Sequence, residues 1–537
     1  MRLSITSLIL QYVLVDGLPK TNTNPLVDLG YSVYRGIRLN AGVDQYLGIR
    51  YAAQPLGELR FRAPADPVRT HSIQDASKEG PICIGVGKTN KPGENSEDCL
   101  FLNVFSPSNV TETSNLPVWV FIQGGGYARN SDANYNGTKV IQESGHTIVF
   151  VELNYRVGAL GFLASERLRK NGDLNVGLLD QRMALCWVQK HIRKFGGNPE
   201  HVVIHGDSAG AGSVSYHLAA YGGRDEQLFI GGIVQSPFWP ILRTVAESEW
   251  QFDRFIQDSG CANSYDALAC LRAVDIETLQ TANAISHFPG TGGTPLPRWY
   301  FLPVIDGDFV VDRLYNLFDE GRFVKVPLMV GDDTDEGSYF AINASTSAEV
   351  SQFFRNNYPN LDSRQLETIN QAYLTSTVLP KHAAYFPVAS AAYGDCTFTC
   401  PGSHIASAVA KHFSPDQVWN YRVNIQDQEL IGEGLGVPHT FEIPAIFGPG
   451  YADTTGLSFE TYNAGIVPIT MHYWISFIRS LDPNVYRHKT APQWDAWGAN
   501  TGMRLKLQTN ATVMERVPRS LTRKCQLWHR LAPIMGV

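Results

Sequence analysis

The stretch His201-Val-Val-Ile-His-Gly-Asp-Ser-Ala-Gly-Ala-Gly-Ser213 decides the fold of this chain. Residues 202–204 favour a buried strand, and the small residues after Ser208 are compatible with a helix. Between them, residues 206–210 fit the pattern G-x-S-x-G, in which a serine occupies a tight strand-to-helix turn. Glycines are needed at both ends of this pattern because the neighbouring backbones approach closely. Isolated matches are common in unrelated loops, but the flanking strand and helix favour a nucleophilic role for Ser208 here.

On both sides of this stretch, apolar runs alternate with longer segments of helical periodicity. The runs are rich in Val and Ile and nearly continuous, which is typical of strands covered by helices on both faces. Residues 180–194 predict a helix that ends before Phe195-Gly-Gly197. We therefore predict an α/β fold with a large, mainly parallel central sheet, helices on both faces and a small N-terminal antiparallel hairpin over residues 31–39 and 45–51. The predicted sheet strands cover residues 116–122, 147–153, 201–205, 232–234, 326–330 and 418–423.

The size and charge of the chain limit its organisation and its partners. Of its 537 residues, 44% are hydrophobic, which is enough for a large core. The 44 basic and 51 acidic residues give a net charge of -7 without a sustained run of either sign, so nucleic acid is not an expected partner. No repeat, low-complexity tract or Pro/Ser linker divides the chain, and we predict a single domain over residues 18–537.

Several features predict export. Arg2 is followed by an apolar stretch to Val15, and Gly17 is a small residue near a cleavage point, so residues 1–17 are predicted to be a signal peptide. A buried N-terminal strand or helix is the alternative. No later segment is apolar for long enough to cross a bilayer, so stable membrane insertion is not expected. Eight cysteines and four glycosylation sequons also favour the secretory pathway. The sequons lie at Asn109, Asn136, Asn343 and Asn510.

A second glycine-rich segment, Gln123-Gly-Gly-Gly-Tyr127, directly follows the predicted strand at 116–122. A glycine run lets the backbone bend so that its N–H groups face an oxyanion, although an ordinary glycine-rich turn is the alternative. In combination with the serine turn, the run predicts an oxyanion hole formed by the N–H groups of Gly125, Gly126 and Ala209.

A serine hydroxyl becomes a nucleophile when a base removes its proton and an acid orients that base. Among the 14 histidines, His439 lies in the Gly/Pro loop Gly436-Val-Pro-His, just before an apolar segment. The acid is expected in the loop that follows the predicted strand at 326–330. Sequence chemistry alone leaves four carboxylates there as alternatives. They are Asp332, Asp333, Asp335 and Glu336.

From about Tyr31 to the C-terminus, the chain resembles the type-B carboxylesterase/lipase family, the cholinesterase-like branch of the α/β-hydrolases, and in particular fungal-type secreted carboxylesterases. Several blocks in the same order carry the resemblance, and the order of serine, acid and histidine agrees with it. The resemblance implies the α/β-hydrolase fold and the catalytic residues Ser208, Glu336 and His439. The matching blocks span residues 48–64, 96–107, 123–127, 153–163, 175–185, 195–213, 335–340 and 436–448.

The resemblance also sorts the cysteines. It implies the disulfides Cys83–Cys99, Cys261–Cys270 and Cys400–Cys525, and it leaves Cys186 and Cys396 free. None of the cysteine spacings resembles a zinc site, and we expect neither a cofactor nor a metal.

Departures from the family narrow the expected substrate. Cholinesterases carry a tryptophan for quaternary ammonium in the loop closed by the first disulfide, and fungal lipases of the family have a long apolar flap there. Here the 15 residues between Cys83 and Cys99 contain no aromatic side chain and are mostly polar. Choline esters and lipid aggregates are therefore poor candidates. Two smaller departures are Gln123, where the family commonly has His or Tyr, and Asp207, which replaces the more usual Glu.

We therefore expect a secreted serine hydrolase, a carboxylesterase that cleaves small to medium soluble esters through an acyl-enzyme on Ser208. An acyltransferase or lactone-forming enzyme with the same triad, a lipase, and a non-catalytic binding protein on this fold are the alternatives. The acyl and alcohol specificities and the oligomeric state stay open. Phe238 and Trp239 are expected to lie in the core rather than in a substrate pocket.

Overall fold

The computed structural model describes residues 24–91, 93–131, 133–292, 295–374, 377–452, 457–498 and 502–537. The predicted signal peptide, residues 1–17, lies outside these ranges. The strands are β1 Leu26–Asp28, β2 Val33–Arg35, β3 Ile37–Leu39, β4 Val43–Arg50, β5 Ile73–Asp75, β6 Ile82–Cys83, β7 Asn95–Ser96, β8 Phe101–Pro107, β9 Leu116–Ile122, β10 Val149–Leu153, β11 Gly197–Asp207, β12 Gly231–Gln235, β13 Arg243–Thr244, β14 Val304–Ile305, β15 Leu328–Asp333, β16 Val418–Val423, β17 Met503–Leu507 and β18 Val513–Arg516.

The helices alternate with the strands through most of the chain. They are α1 Thr138–Glu143, α2 Gly158–Phe162, α3 Glu166–Arg169, α4 Val176–His191, α5 Ala209–Gly223, α6 Glu249–Asp258, α7 Ala267–Ala273, α8 Ile276–Ala282, α9 Leu314–Asp319, α10 Ser347–Asn357, α11 Ser363–Ala372, α12 Phe386–Gly394, α13 Cys400–His412, α14 Gln428–Gly432, α15 Ile443–Phe447, α16 Val467–Ser480 and α17 Arg519–Met535. A π-helical turn, Asp395–Thr399, joins α12 to α13. Among the described residues, no helix is long and apolar enough to cross a membrane.

The described strands form one eleven-stranded sheet and three small ones. In the large sheet, β10, β9, β11, β12, β15, β16 and β17 lie side by side in parallel, while β18 at one edge and β8, β4 and β3 at the other pair antiparallel. The six strands predicted from apolar runs correspond to β9, β10, β11, β12, β15 and β16. The predicted α/β-hydrolase fold is confirmed.

Each central strand is buried on both faces. In β9, Val118 and Val120 belong to the hydrophobic core on one face of the sheet, whereas Trp119 and Phe121 belong to a second core on the other face. Helices α4, α5 and α13 contribute to the first core, and α15 and α16 contribute to the second. Two buried faces explain why these strands are almost continuously apolar in sequence.

The N-terminal hairpin is present, but its first predicted strand is divided. Residues 37–39 form β3 and pair with β4 at the edge of the large sheet, whereas residues 33–35 form β2 in a small sheet with β1 and β5. The division falls at Gly36, where a β-carbon would lie 2.5 Å from the Gln45 carbonyl oxygen. A glycine allows the chain to change sheets at this close approach.

The disulfide pairing implied by the family resemblance is confirmed. Cys83 is bonded to Cys99, Cys261 to Cys270, and Cys400 to Cys525. Cys186 and Cys396 are free, and Cys396 is buried. The Cys400–Cys525 bond spans 125 positions of sequence and ties α17 to α13.

We predict that the double substitution of Cys400 and Cys525 by Ala lowers the free energy of unfolding by about 4 kcal/mol, because a crosslink across a long loop restricts the unfolded chain most strongly. Urea titration of the wild-type and variant proteins measures this change. The control is Cys186→Ser, which alters an exposed free thiol and should leave the urea midpoint unchanged. An equal midpoint for all three proteins would contradict the prediction.

Candidate active site

Ser208 lies in a strained turn between β11 and α5. Its backbone angles are φ 54° and ψ −122°, and α5 starts at the next residue. A positive φ is unfavourable for a residue with a side chain and persists where the surrounding structure enforces it. The turn is enforced by close contacts: a β-carbon on Gly210 would lie 1.9 Å from the Ile122 carbonyl oxygen, and one on Gly206 would lie 2.3 Å from the Gly210 carbonyl. Both glycines of the G-x-S-x-G pattern are therefore required sterically.

Backbone hydrogen bonds fix Ser208 at the carboxyl ends of neighbouring parallel strands. Its N–H donates to the Gln235 carbonyl at the end of β12 (2.9 Å), and its own carbonyl accepts from the Phe238 N–H (3.1 Å). The Ser208 residue is 9% exposed. The carboxyl ends of strands in an open parallel sheet are the usual place for a ligand site.

Strand β15 extends to Asp333, so two of the four candidate carboxylates lie at the end of the strand and two in the loop after it, and of the four Glu336 contacts the histidine. Its Oε2 pairs with Nδ1 of His439. Its Oε1 accepts from the Ser236 hydroxyl (2.6 Å) and from the Asp333 N–H (2.7 Å), so both oxygens are held. The structure thus brings Glu336 and His439 together. Sequence chemistry alone left the choice among the four carboxylates open.

The other acids of this loop hold the histidine loop in place. The Oδ2 of Asp335 accepts from the Val437 N–H, and the Asp335 N–H donates to the Val437 carbonyl (2.8 and 2.9 Å). The Oδ2 of Asp333 accepts from the Thr440 N–H (2.8 Å). These bonds lie on both sides of His439 in the sequence, so the backbone that carries the imidazole is fixed to the backbone that carries Glu336.

The imidazole of His439 is buried between aromatic rings. Its ring centroid lies 4.3 Å from that of Phe398 and 5.1 Å from that of Phe340. Phe398 in turn packs on Phe238, whose N–H contacts the Ser208 carbonyl. The Nε2 of His439 is buried and forms no hydrogen bond with any described residue, Ser208 included. That nitrogen is free to exchange a proton with a substrate or with a hydroxyl that approaches it.

The glycine run after β9 presents unused N–H donors. Gly125 and Gly126 have φ values of 107° and 63°, and a β-carbon would lie 2.1 Å from the Arg129 carbonyl oxygen at the first position and 2.0 Å from the Trp299 ring at the second. In the part of the chain that the structure describes, the N–H groups of Gly125, Gly126 and Ala209 donate to no protein acceptor. Free N–H groups of this kind are the donors that an oxyanion hole requires.

Behind this run, Gln123 stabilises the end of β9. Its fully buried side-chain NH₂ donates to the Leu153 carbonyl (3.1 Å) and to the Asn154 side chain (2.9 Å), and its backbone carbonyl accepts from the Tyr155 hydroxyl (2.9 Å). The unusual glutamine therefore anchors β9 to the end of β10.

Buried acids around the Glu336–His439 pair have raised pKa values. Burial raises the pKa of Glu442 to about 7 and that of Asp332 to about 7, although Arg504 opposes the second shift. Burial, and then the charge of Glu442, raises the pKa of Asp333 well above its ordinary value. The repulsion between the buried Asp333 and Glu442 carboxylates favours the protonated form of Asp333. Protonation there would lower the negative charge close to Glu336.

Sequence analysis missed several residues of this region. Ser236 holds Glu336, Trp299 covers the glycine run, and Phe398 covers His439. A signal was available for Ser236, which comes two residues after the end of the predicted strand at 232–234 and precedes Pro237. Phe238 and Trp239 are each 1% exposed, as expected of core residues.

Comparison with known proteins identifies the family of this chain. The profile of the carboxylesterase family matches residues 23–528. A crystal structure of EstA from Aspergillus niger is 61% identical in sequence and superposes with a TM-score of 0.95, covering 96% of this chain and 100% of that one.

Fungal lipases are also similar to this chain. Lipase 1 of Geotrichum candidum is 35% identical over 370 residues, which are 61% of this chain and 65% of that protein. Secreted lipase 1 of Botryotinia fuckeliana is 30% identical over 493 residues, 83% of this chain and 82% of that protein. With the family profile matched over nearly its whole length, the chain belongs to the carboxylesterase family and is a carboxylic ester hydrolase of the serine type.

Proposed function

We propose that the chain hydrolyses small to medium soluble esters through an acyl-enzyme on Ser208. His439 takes the proton of the Ser208 hydroxyl as the oxygen attacks the ester carbonyl, and Glu336 orients the imidazole and offsets its positive charge. His439 then protonates the leaving alcohol. Water repeats the same steps at the acyl-enzyme and releases the acid.

The contact between Glu336 and Nδ1 of His439 is the observation that carries this proposal. It fixes the imidazole with Nε2 on the opposite side of the ring as the exchangeable nitrogen. The free N–H groups of Gly125, Gly126 and Ala209 supply the second requirement, a site for the oxyanion. A single donor of this type contributes on the order of 3 kcal/mol to transition-state stabilisation.

The preference for soluble esters rests on the loop between Cys83 and Cys99. Its C-terminal end is pinned, because Arg60 pairs with the buried Glu97 (Nη2–Oε2, 2.8 Å) and Arg50 forms two bonds with Asp98 (2.6 and 2.7 Å). The loop carries no aromatic side chain. A short, polar and anchored loop offers little apolar surface to a lipid aggregate.

Secretion is the cellular setting that we propose. A relative is named a secreted lipase, and this chain holds disulfides, which persist in oxidising compartments. Three of the sequon asparagines, Asn109, Asn343 and Asn510, are exposed and accessible to glycosylation, whereas Asn136 is half-buried.

Replacing Ser208 by Ala should lower kcat for p-nitrophenyl butyrate by about 10⁶, because the residues of a triad act as a unit. The same variant should lose the stoichiometric labelling by an organophosphate that the wild-type protein shows. Ser215→Ala is the matched control, since its hydroxyl also lies in α5 but donates to the Ala211 carbonyl within the helix. Near wild-type hydrolysis by the Ser208 variant would refute the assignment.

A panel of p-nitrophenyl esters of increasing acyl length, with and without detergent micelles, tests the substrate class. We expect the highest kcat/KM for short, dissolved esters and no jump in rate on micelles, because the pinned loop does not form an apolar flap. A fungal lipase measured in parallel provides the positive control. Activation by micelles would instead support a lipase, and ester formation with an added alcohol would support an acyltransferase.

The buried acids also predict how stability depends on pH. A carboxyl group whose pKa is raised by folding binds more protons in the folded state, so stability falls as pH rises from about 4 through the raised pKa values near 7. Asp333→Asn removes one such group and supplies an amide donor to Glu442. We expect the wild-type protein to lose about 1–3 kcal/mol more unfolding free energy than this variant between pH 5 and pH 8.

Urea unfolding at the two pH values measures this difference. Asp416→Asn serves as the control because this aspartate is exposed, and it should behave like the wild-type protein. The prediction is wrong if the Asp333 variant loses as much stability as the wild-type protein over the same interval.

A further inference from the structure

Three helices that contain none of Ser208, Glu336 and His439 bring two imidazole groups and a carboxylate together. Asp319 is the last residue of α9, His404 lies in the first half of α13, and His529 lies in α17. Their ligand atoms all lie within 4.8 Å of one another. Asp319 is 85 positions from His404 in sequence, and His404 is 125 positions from His529, so no motif in the chain announces this grouping.

The Cys400–Cys525 disulfide sets the position of the two histidines. His404 follows Cys400 by four residues and His529 follows Cys525 by four residues, so each histidine lies one helical turn beyond a bonded cysteine, on the same face of its helix. The disulfide holds the Cα atoms of Cys400 and Cys525 5.0 Å apart, and the two imidazole rings stack with centroids 5.1 Å apart. The histidine pair is therefore organised before any ligand arrives.

The atoms of the group face one another at distances close to those of a coordination shell. Nε2 of His529 lies 2.8 Å from Oδ2 of Asp319, and Nε2 of His404 lies 3.5 Å from Oδ1 of the same carboxylate. Metal–ligand bonds of 2.0–2.2 Å in a tetrahedral zinc site separate neighbouring ligand atoms by about 3.3 Å. Small rotations of Asp319 and His529, whose side chains are 47% and 44% exposed, complete the fit.

His404 has an unused nitrogen that points to a ligand. Its Nε2 is buried and forms no hydrogen bond with any described residue, although Oδ1 of Asp319 lies 3.5 Å away. An unpaired buried nitrogen costs free energy, and a bound cation would recover that cost.

We propose that Asp319, His404 and His529 bind one divalent transition-metal ion of the zinc type. Two imidazoles and a carboxylate are ligands that zinc accepts readily, and hard cations such as Ca²⁺ prefer sites made of oxygen atoms. Both histidines line a cavity of about 720 Å³, and a water molecule from this cavity would complete a tetrahedral shell. Ser208, Glu336 and His439 do not line this cavity, so the ion is structural and takes no part in ester cleavage.

A hydrogen bond beside the proposed ligands fixes the backbone of Asp319. Nε2 of His412 donates to the Asp319 backbone carbonyl (2.9 Å) and steadies the end of α9. A bound ion would tie α9, α13 and the C-terminal helix α17 together next to the disulfide. Cysteine spacing carries no signal for such a site, because the proposed ligands are two histidines and an aspartate.

Zn²⁺ titration of the chelator-treated, dialysed full-length protein tests the proposal. We expect about one equivalent of Zn²⁺ to bind by calorimetry and to raise the thermal unfolding midpoint, since an ion that binds the folded state stabilises it. His529→Gln, His404→Gln and Asp319→Asn should each lower the affinity about tenfold or more. Co²⁺ in place of Zn²⁺ should give visible absorption bands of nitrogen and oxygen coordination in the wild-type protein and lose them in His529→Gln.

The variant His488→Gln controls for adventitious binding at the surface. It disrupts a second histidine pair, His472 and His488, whose rings lie 5.6 Å apart beside Glu143. This control should bind Zn²⁺ like the wild-type protein. His529→Gln alters an exposed side chain, and an unchanged thermal midpoint without metal will show that it folds. Absent binding by the wild-type protein, equal binding by His529→Gln, or loss of binding in the His488 variant alone would each overturn the proposal.

Discussion

The close approach of Gly210 to the Ile122 carbonyl is the contact on which the rest of the site depends. It seats the start of α5 against the end of β9 with no room for a β-carbon. Because Ser208 and Ala209 precede this contact and the glycine run follows Ile122, the same approach brings the start of α5 to the end of β9, where the glycine run begins. A side chain at residue 210 would push the start of α5 away from the end of β9. Glycine is therefore required there for steric reasons.

Hydrogen bonds between two loops bring Glu336 and His439 together. Asp333 and Asp335 use their carboxylates on backbone N–H groups of the histidine loop, and Glu336 contacts the ring itself. Buried carboxylates that lie close together repel one another, which together with burial raises the pKa of Asp333. The loop thereby gains rigid attachment while Glu336 keeps the role of partner to the imidazole. Because these carboxyl groups have raised pKa values, the arrangement lowers the stability of the folded protein at higher pH, while the geometry of the site is kept.

Much of the fold could be predicted because both faces of the central strands are buried, which makes the strands nearly continuous apolar runs. The serine turn was likewise visible, since its glycines, strand and helix are consecutive in sequence. The acid could be chosen only by family resemblance, because four carboxylates share one loop and their directions depend on how that loop packs. Ser236, Phe398 and Trp299 were missed since each reaches the site from a separate element. Division of the first hairpin strand at Gly36 depends on a contact with Gln45 that local patterns do not encode.

The C-terminal helix is connected to the site through the start of α13. The π-helical turn Asp395–Thr399 places Phe398 against His439, and the next residue, Cys400, is bonded to α17. An inserted π turn changes the direction of the side chains that follow it and is frequent at functional sites. The disulfide therefore fixes Cys400, the first residue of α13. It thereby also fixes the nearby ring of Phe398, which covers the imidazole of His439. In this way α17, far from Ser208 in sequence, contributes to the packing that holds the imidazole of His439 in place.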